Sequence, residues 1–444
     1  MTARTLGRPA TKPCHLVTRT LAAGIAIAVL VIASPAPRSP GVMSRMRPAG
    51  RVPIHHPQVA TRDAFGAFHC QQPSATFNCY GPTQIRAAYS IQPLLDAGRD
   101  GSGQVITIID AFQNPTMSND LASFDSVFGL PAPPSFKTIA PFGLTPFNSN
   151  DPNQVGWSGE IALDVEWAHA VAPGASIVLA LAPSDADPDL LATERYAIRH
   201  GIGTVISMSF GEAEQCMPPR VRDAEQALFS TATSQGITLL AAAGDFGAAQ
   251  LTCDGTSYIK AASIPASDPN VTGVGGTDLK ANLQTGAYDN ESVWNEPRLP
   301  AGGGGGFSSL YARPDFQQGI DGIASMRGVP DVSYSGSAAH GVIVAWGSSG
   351  EPFEFWNFDG TSVGTPHWAG IVAIADQSIG HGLGNMNPVL YRLSQQKNAP
   401  FHDIKNGNND FGAIVGFPAK QGWDAASGVG SPIASNLVAA LLSQ

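Results

Sequence analysis

The chain has 444 residues, 43% of them hydrophobic and only 14% charged, with 49 Gly and 35 Pro. This composition excludes a disordered or fibrous protein and predicts a large core joined by many turns and loops. Residues 1–51 hold eight of the 25 Lys and Arg and none of the 35 Asp and Glu, so 17 basic and 35 acidic side chains remain beyond them, a formal charge of −18. Such an acidic surface argues against nucleic acid and anionic membrane as partners.

The chain opens with Arg4, Arg8, Lys12 and Arg19, then the apolar run Leu21 to Ala33, then "ASPAPRSP". That order predicts a signal peptide over 1–36 and a secreted protein that is off the membrane once the signal is cleaved; a retained anchor is the lesser alternative. Residues 37–67 read as a short propeptide or linker, and 68–444 as one large domain. Cys14 falls in the leader, which leaves Cys70, Cys79, Cys216 and Cys253. An even set in an exported chain points to disulfides, with Cys70–Cys79 and Cys216–Cys253 favoured and the two other pairings open. No CxxC pair occurs, which argues against zinc.

Short apolar β-rich runs follow at 104–112, 175–182, 204–211 and 237–247, with helical patterns between them at 159–172, 189–200 and 221–235. Strands alternating with helices predict an α/β fold, a mostly parallel sheet with helices on both faces, whose sites gather at the carboxyl ends of strands. The glycine-dense stretch 301–317 reads as a loop within the domain, because patterned segments continue on both sides of it. No internal repeat is visible.

The segment "FDGTSVGTPHWAGIVA" (358–373) places Ser362 in a Gly-Thr-Ser turn at the start of a buried helix. Gly360 permits the turn, Pro366 suits the first helical turn, and Trp368, Ile371, Val372 and Ile374 supply an apolar face. Ser362 could be a nucleophile or merely a helix cap. Its candidate base lies upstream: Glu160 and Asp164, at i and i+4, share one helical face, whereas Glu166 points elsewhere. Two adjacent carboxyls cannot both ionise cheaply, so one can accept a serine proton while the other, still protonated, holds it in place. The competing reading is a pair of solvated helix carboxylates. The apolar neighbours Ile161, Ala162, Leu163, Val165, Trp167 and Ala168 argue for a cleft instead. Asp110, ending the first apolar strand, is either a partner of this pair or a turn residue. His169 and His367 are poor catalytic candidates, because neither has the sequence context of a Ser-His-Asp hydrolase.

In chain order, the strand ending in Asp110, the helix before "AVAPGA", "ISMSFG", "AAAGDFG" and "DGTSVGTPHWAG" follow the plan of the subtilisin clan. Where subtilisins carry a His and an Asn, this chain has acids. In those acids, carried by "GWSGEIALDVEWAHAVAPGA" and "AAAGDFG", and in "PASDPNVTGVGGT", "GGGGGFS", "RGVPDVS" and "FHDI…GWDAASGVGSP", it resembles the sedolisin family of serine-carboxyl peptidases, over roughly residues 75–444. The resemblance implies a subtilisin-like fold and a secreted, monomeric peptidase that cuts polypeptides in acid. It implies a triad of Ser362, Glu160 and Asp164, with Asp245 as oxyanion-hole donor, Asp110 as a supporting acid, and Ser207, Met208, Ser209, Phe210 and Gly211 along the substrate cleft. It also implies one structural calcium, held by Asp403, Asp424 and the carbonyls of Ile404, Lys420 and Gly422; Lys420 departs from the usual glycine. Sedolisins usually carry a long prodomain, and the thirty or so residues between leader and domain are too few for one. A non-catalytic binding protein on the same fold is the alternative function.

Overall fold

A computed structural model describes residues 55–63, 66–348 and 353–443. The expected signal peptide and most of the 37–67 segment lie outside the described residues. Among those described, no helix is long and apolar enough to cross a membrane.

Twelve strands and five helices position the site. The strands are β1 (Gln58–Val59), β2 (Asn78–Tyr80), β3 (Val105–Ala111), β4 (Phe136–Ile139), β5 (Ser176–Ala182) and β6 (Val205–Met208). They continue with β7 (Thr238–Ala242), β8 (Thr272–Ala281), β9 (Tyr288–Val293), β10 (Val332–Ser335), β11 (His340–Trp346) and β12 (Glu354–Phe358). The helices are α1 (Met117–Phe128), α2 (Pro152–Val171), α3 (Asp187–Arg199), α4 (Pro219–Ser234) and α5 (Thr361–Ile379).

The central sheet runs β9-β8-β7-β6-β3-β5-β4, with β10 also pairing β8. Every pairing in it is parallel except β8 with the edge strand β9. Alternation along β3 sends Ile106 and Ile108 into one core with α2 and α5, and Ile109 and Ala111 into a second core with α3 and α4. A doubly covered parallel sheet follows from strands that are apolar on both faces. This is the predicted α/β, subtilisin-like architecture. A second sheet, ordered β1-β12-β11-β2, flanks the helix pair. Disulfides join Cys70 to Cys79 and Cys216 to Cys253, the favoured pairing.

The helix pair α2 and α5 carries the acids and the serine. Helix α2 is buried on all sides, from Trp157 through Val171, because α5 covers one flank and β11 another. Trp167 Nε1 donates to the Ile343 carbonyl, and Glu166 accepts from the Ala345 N–H. Close approach of the two helices depends on Gly370: a Cβ there would stand 2.6 Å from Val171 Cβ.

Candidate active site

Helix α5 starts at Thr361, directly after Gly360 with φ 112°. That backbone angle favours glycine and turns the chain sharply off β12 into the helix. Ser362 is therefore the second residue of the helix, where its N–H has no partner within the helix and is free for an oxyanion. Its Oγ donates to Glu160 Oε2 at 3.1 Å and lies 3.4 Å from the Ser209 carbonyl oxygen.

Glu160 and Asp164 are both wholly buried. Asp164 Oδ1 accepts from Ser209 Oγ at 2.8 Å, and its carboxyl lies within the reach of the Glu160 charge. Burial first, then the charges of Glu160 and Asp110, hold the Asp164 carboxyl well above the usual carboxylate range. Asp164 thus stays protonated and orients Glu160 as the acceptor for the serine proton. Asp110 stands at the end of β3, buried, with neither oxygen accepting a hydrogen bond. Burial and then Glu160 push its pKa well up as well. Asp110 is wholly buried, so it does not sit in a solvated turn.

Asp245 follows β7. Its Oδ1 accepts from Thr361 N at 2.6 Å and Thr361 Oγ1 at 2.9 Å. Its Oδ2 faces Gly360, within 3.4 Å of where a Cβ would sit. Burial pushes the carboxyl up to about 6, against the lowering effect of the Thr361 bonds. A proton on Oδ2 would turn this acid into a donor beside the Ser362 N–H. The segment Ser207–Gly211 continues from β6 alongside: Ser209 touches both Asp164 and Ser362, and Phe210 packs on Trp157 with ring centroids 6.0 Å apart.

The two rejected histidines are structural. His367 Nδ1 bonds the Val363 carbonyl, its ring packs against Trp167 and Tyr334, and burial pushes its pKa down to about 3. His169 Nε2 bonds the Pro131 carbonyl at 2.8 Å, with Asp125 at 3.3 Å. A third histidine, which sequence reasoning passed over, does reach the site. His55 Nε2 lies 2.6 Å from Glu160 Oε2, and its Nδ1 lies 2.7 Å from the Asp359 carbonyl oxygen. Its only sequence signal is the pair His55-His56 ahead of Pro57, in a stretch read as propeptide or linker.

The expected calcium residues gather in a second cluster. Gly422 N–H donates to Asp403 Oδ1 at 3.0 Å, and Lys420 N–H donates to Asp424 Oδ2 at 3.0 Å. Asp424 Oδ1 also accepts from Ala426 N, Ser427 N and Ser427 Oγ. The Lys420 side chain turns away to Asp321, 2.9 Å distant, so the substitution leaves the backbone carbonyl as the potential ligand.

A subtilase-family profile matches residues 149–396. Kumamolisin of Bacillus sp. (strain MN-32) is 35% identical over 393 residues, covering 86% of this chain and 67% of its own length. The chain belongs to the sedolisin family. Sedolisin of Pseudomonas sp. (strain 101) is 31% identical over 373 residues, 81% of this chain and 60% of its own length. The chain thus spans about two thirds or less of these curated relatives. A solved Pseudomonas sedolisin, complexed with two molecules of pseudo-iodotyrostatin, superposes with a TM-score of 0.71 at 27% identity, covering 83% of this chain and all of that one. The sedolisin fold agrees with the doubly covered parallel sheet.

Proposed function

We propose that this protein is a secreted serine-carboxyl peptidase that hydrolyses polypeptides in acid. The observation that carries this reading is the Ser362 Oγ hydrogen bond to the wholly buried Glu160, whose helical neighbour Asp164 is buried beside it. Glu160 takes the Oγ proton as Oγ attacks the substrate carbonyl carbon. The negative charge that develops on oxygen is met by the Ser362 N–H and protonated Asp245. Collapse releases the amine, which takes the proton back from Glu160 and leaves an acyl-Ser362 ester. Water, deprotonated by Glu160, then hydrolyses that ester. Ser207–Gly211 would edge the cleft for an extended substrate.

Digestion of a denatured protein between about pH 2 and about pH 8, with sequencing of the products, tests the reading and separates internal cleavage from tripeptide release. Ser362→Ala should lower turnover by several orders of magnitude while leaving the melting curve near that of the parent, since losing a helix-cap hydroxyl costs only about 1 kcal/mol. Full activity in that variant would exclude a serine nucleophile.

A structural calcium belongs to the same proposal. Asp403 and Asp424 with the carbonyls of Ile404, Lys420 and Gly422 form a hard-oxygen donor set, and the 420–424 loop already wraps both carboxylates. Bound there, the ion would pin the loop; it takes no part in the chemistry.

A further inference from the structure

Resting on that peptidase reading, we propose that Thr361 is a positioning residue of the oxyanion hole: its N–H and its hydroxyl together claim Asp245 Oδ1, so that the proton of Asp245 sits on Oδ2, the oxygen that faces the Gly360–Ser362 turn.

A protonated carboxyl has one oxygen that only accepts and one that donates, and the proton can sit on either. Only a proton on the cleft-side oxygen helps a developing oxyanion; a bare oxygen there would repel it. Asp245 Oδ1 accepts from Thr361 N at 2.6 Å and from Thr361 Oγ1 at 2.9 Å. The N–H can only donate. The hydroxyl is committed as well, because Oγ1 accepts from the Gly244 N–H at 3.1 Å and turns its own hydrogen to Oδ1. Met by two donors, Oδ1 carries no proton. Oδ2 therefore does, and Oδ2 borders Gly360, 3.4 Å from where a Cβ would stand.

Both partners are held for this task. A β-branched side chain is stiff about its first torsion, and the Thr361 methyl packs on Gly276, 3.4 Å from where a Cβ would sit there. The methyl thus fixes the rotamer that aims the hydroxyl. On the other side, the glycine-dense stretch pins the main chain of the acid. Gly302 N–H donates to the Asp245 carbonyl at 2.9 Å, and Gly304 N–H donates to the Gly244 carbonyl at 2.6 Å. Only glycine allows that approach, since a Cβ on Gly304 would run into the Ala243 carbonyl. With the backbone of Asp245 fixed, rotation of its carboxyl is the freedom that remains, and Thr361 removes it.

The hydroxyl has a second, measurable effect. Burial carries the Asp245 carboxyl up to about 6, while the Thr361 N–H, the charge of His55 and the Thr361 hydroxyl pull it down and Asp359 raises it. His56 also lies within reach of the Asp245 charge. A donor to Oδ1 therefore aims the neutral acid and at the same time stabilises the ionised one. Activity needs the protonated form. Removing the hydroxyl should lower the rate in acid, because the proton is no longer confined to Oδ2, and should raise the Asp245 pKa, because one donor to the anion is gone. The alkaline limb of kcat then moves to higher pH even as the plateau falls. Loss of packing alone would lower the plateau and leave the limb where it was.

Two measurements test this. Thr361→Val, which keeps the shape without the hydroxyl, and Thr361→Ser, which keeps the hydroxyl, are compared with the parent on a peptide substrate from about pH 3 to about pH 8, all with the same N-terminus by mass spectrometry. Thr361→Val should lower kcat in acid about tenfold or more with KM little changed and shift the alkaline limb upward, and Thr361→Ser should recover most of the rate. Thr361→Val strands the Gly244 N–H; if it does not fold, Thr361→Ala, which leaves room for water at that N–H, takes its place with the same expectation. On an Asp245→Asn background, whose amide cannot exchange donor and acceptor, loss of the hydroxyl should cost far less. An equal loss on both backgrounds, or an unmoved limb, would overturn the proposal. In Ser362→Ala protein, carbon-13 NMR titration of the Asp245 carboxyl should give a midpoint near 6 that rises when the hydroxyl is removed. An unchanged midpoint would overturn the proposal whether or not the protein is active. Absence of activity in the parent at every pH would instead refute the peptidase reading, and the NMR titration would still decide the role of Thr361.

Discussion

A carboxyl group facing a developing oxyanion assists only while it keeps its proton. Asp245 meets that condition in acid, since burial raises it to about 6, and it fails as pH rises through that value. Turnover should therefore decline from acid toward neutrality. Asp245→Asn retains a donor that does not titrate, so it should keep more activity than Asp245→Ala and lose less on the neutral side. Removing an oxyanion donor costs roughly 10²- to 10³-fold in kcat, which separates the two variants clearly. Matching rates and pH profiles in Asp245→Asn, Asp245→Ala and the parent would reduce Asp245 to a cap on Thr361. The bonds from Thr361 N and Oγ1 give that residue a share in aiming Oδ2, a role no motif announced.

Elements matter here as rigid carriers. Helix α2 brings Glu160 and Asp164 to α5 by burying nearly its whole circumference, and Gly370 permits the contact that fixes their spacing. The 420–424 loop is the opposite case: it is closed by a few backbone N–H bonds to Asp403 and Asp424. An ion held preferentially by the folded state raises stability by mass action. Chelation should accordingly lower Tm, and Asp424→Ala should reproduce the loss and abolish the response to added calcium. A melting curve unchanged by verified metal removal would exclude calcium from this loop.

Across the whole molecule, protons are stored on buried acids. Burial raises Asp110, Asp164 and Glu166 well above the carboxylate range, Asp245 and Asp268 to about 6, and Asp376 to about 7. The folded state holds these protons where the unfolded chain has released them, so stability falls as pH rises from about 4 through 6 to 7. His367 and His402, lowered to about 3 and about 4, act oppositely, favouring the fold more as pH rises toward 6.5. The acids outnumber them, and above 6.5 the two histidines contribute no further slope. Calorimetry with calcium in excess should therefore show a higher Tm near pH 5 than near pH 8. A higher Tm at the alkaline end would mean these carboxyls are ionised in the folded protein.

The alternation of apolar strands with helical segments determined the parallel sheet, because a strand apolar on both faces must be covered on both. Local spacing likewise determined that Glu160 and Asp164 share a helical face, and the ordered motifs tied Ser362 and Asp245 to them. Burial was only partly legible: the apolar neighbours of Glu160 suggested a cleft, and tertiary packing enclosed α2 completely. His55 lay beyond sequence reasoning altogether. It stands 105 residues from Glu160 along the chain, in a segment with no periodic pattern, and it reaches the base because β1 adds to the edge of β12. Helical spacing fixes neighbours four residues apart, but only tertiary packing, of α2 on α5 for Ser362 and of β1 on the edge of β12 for His55, can bring together groups separated by a hundred or more.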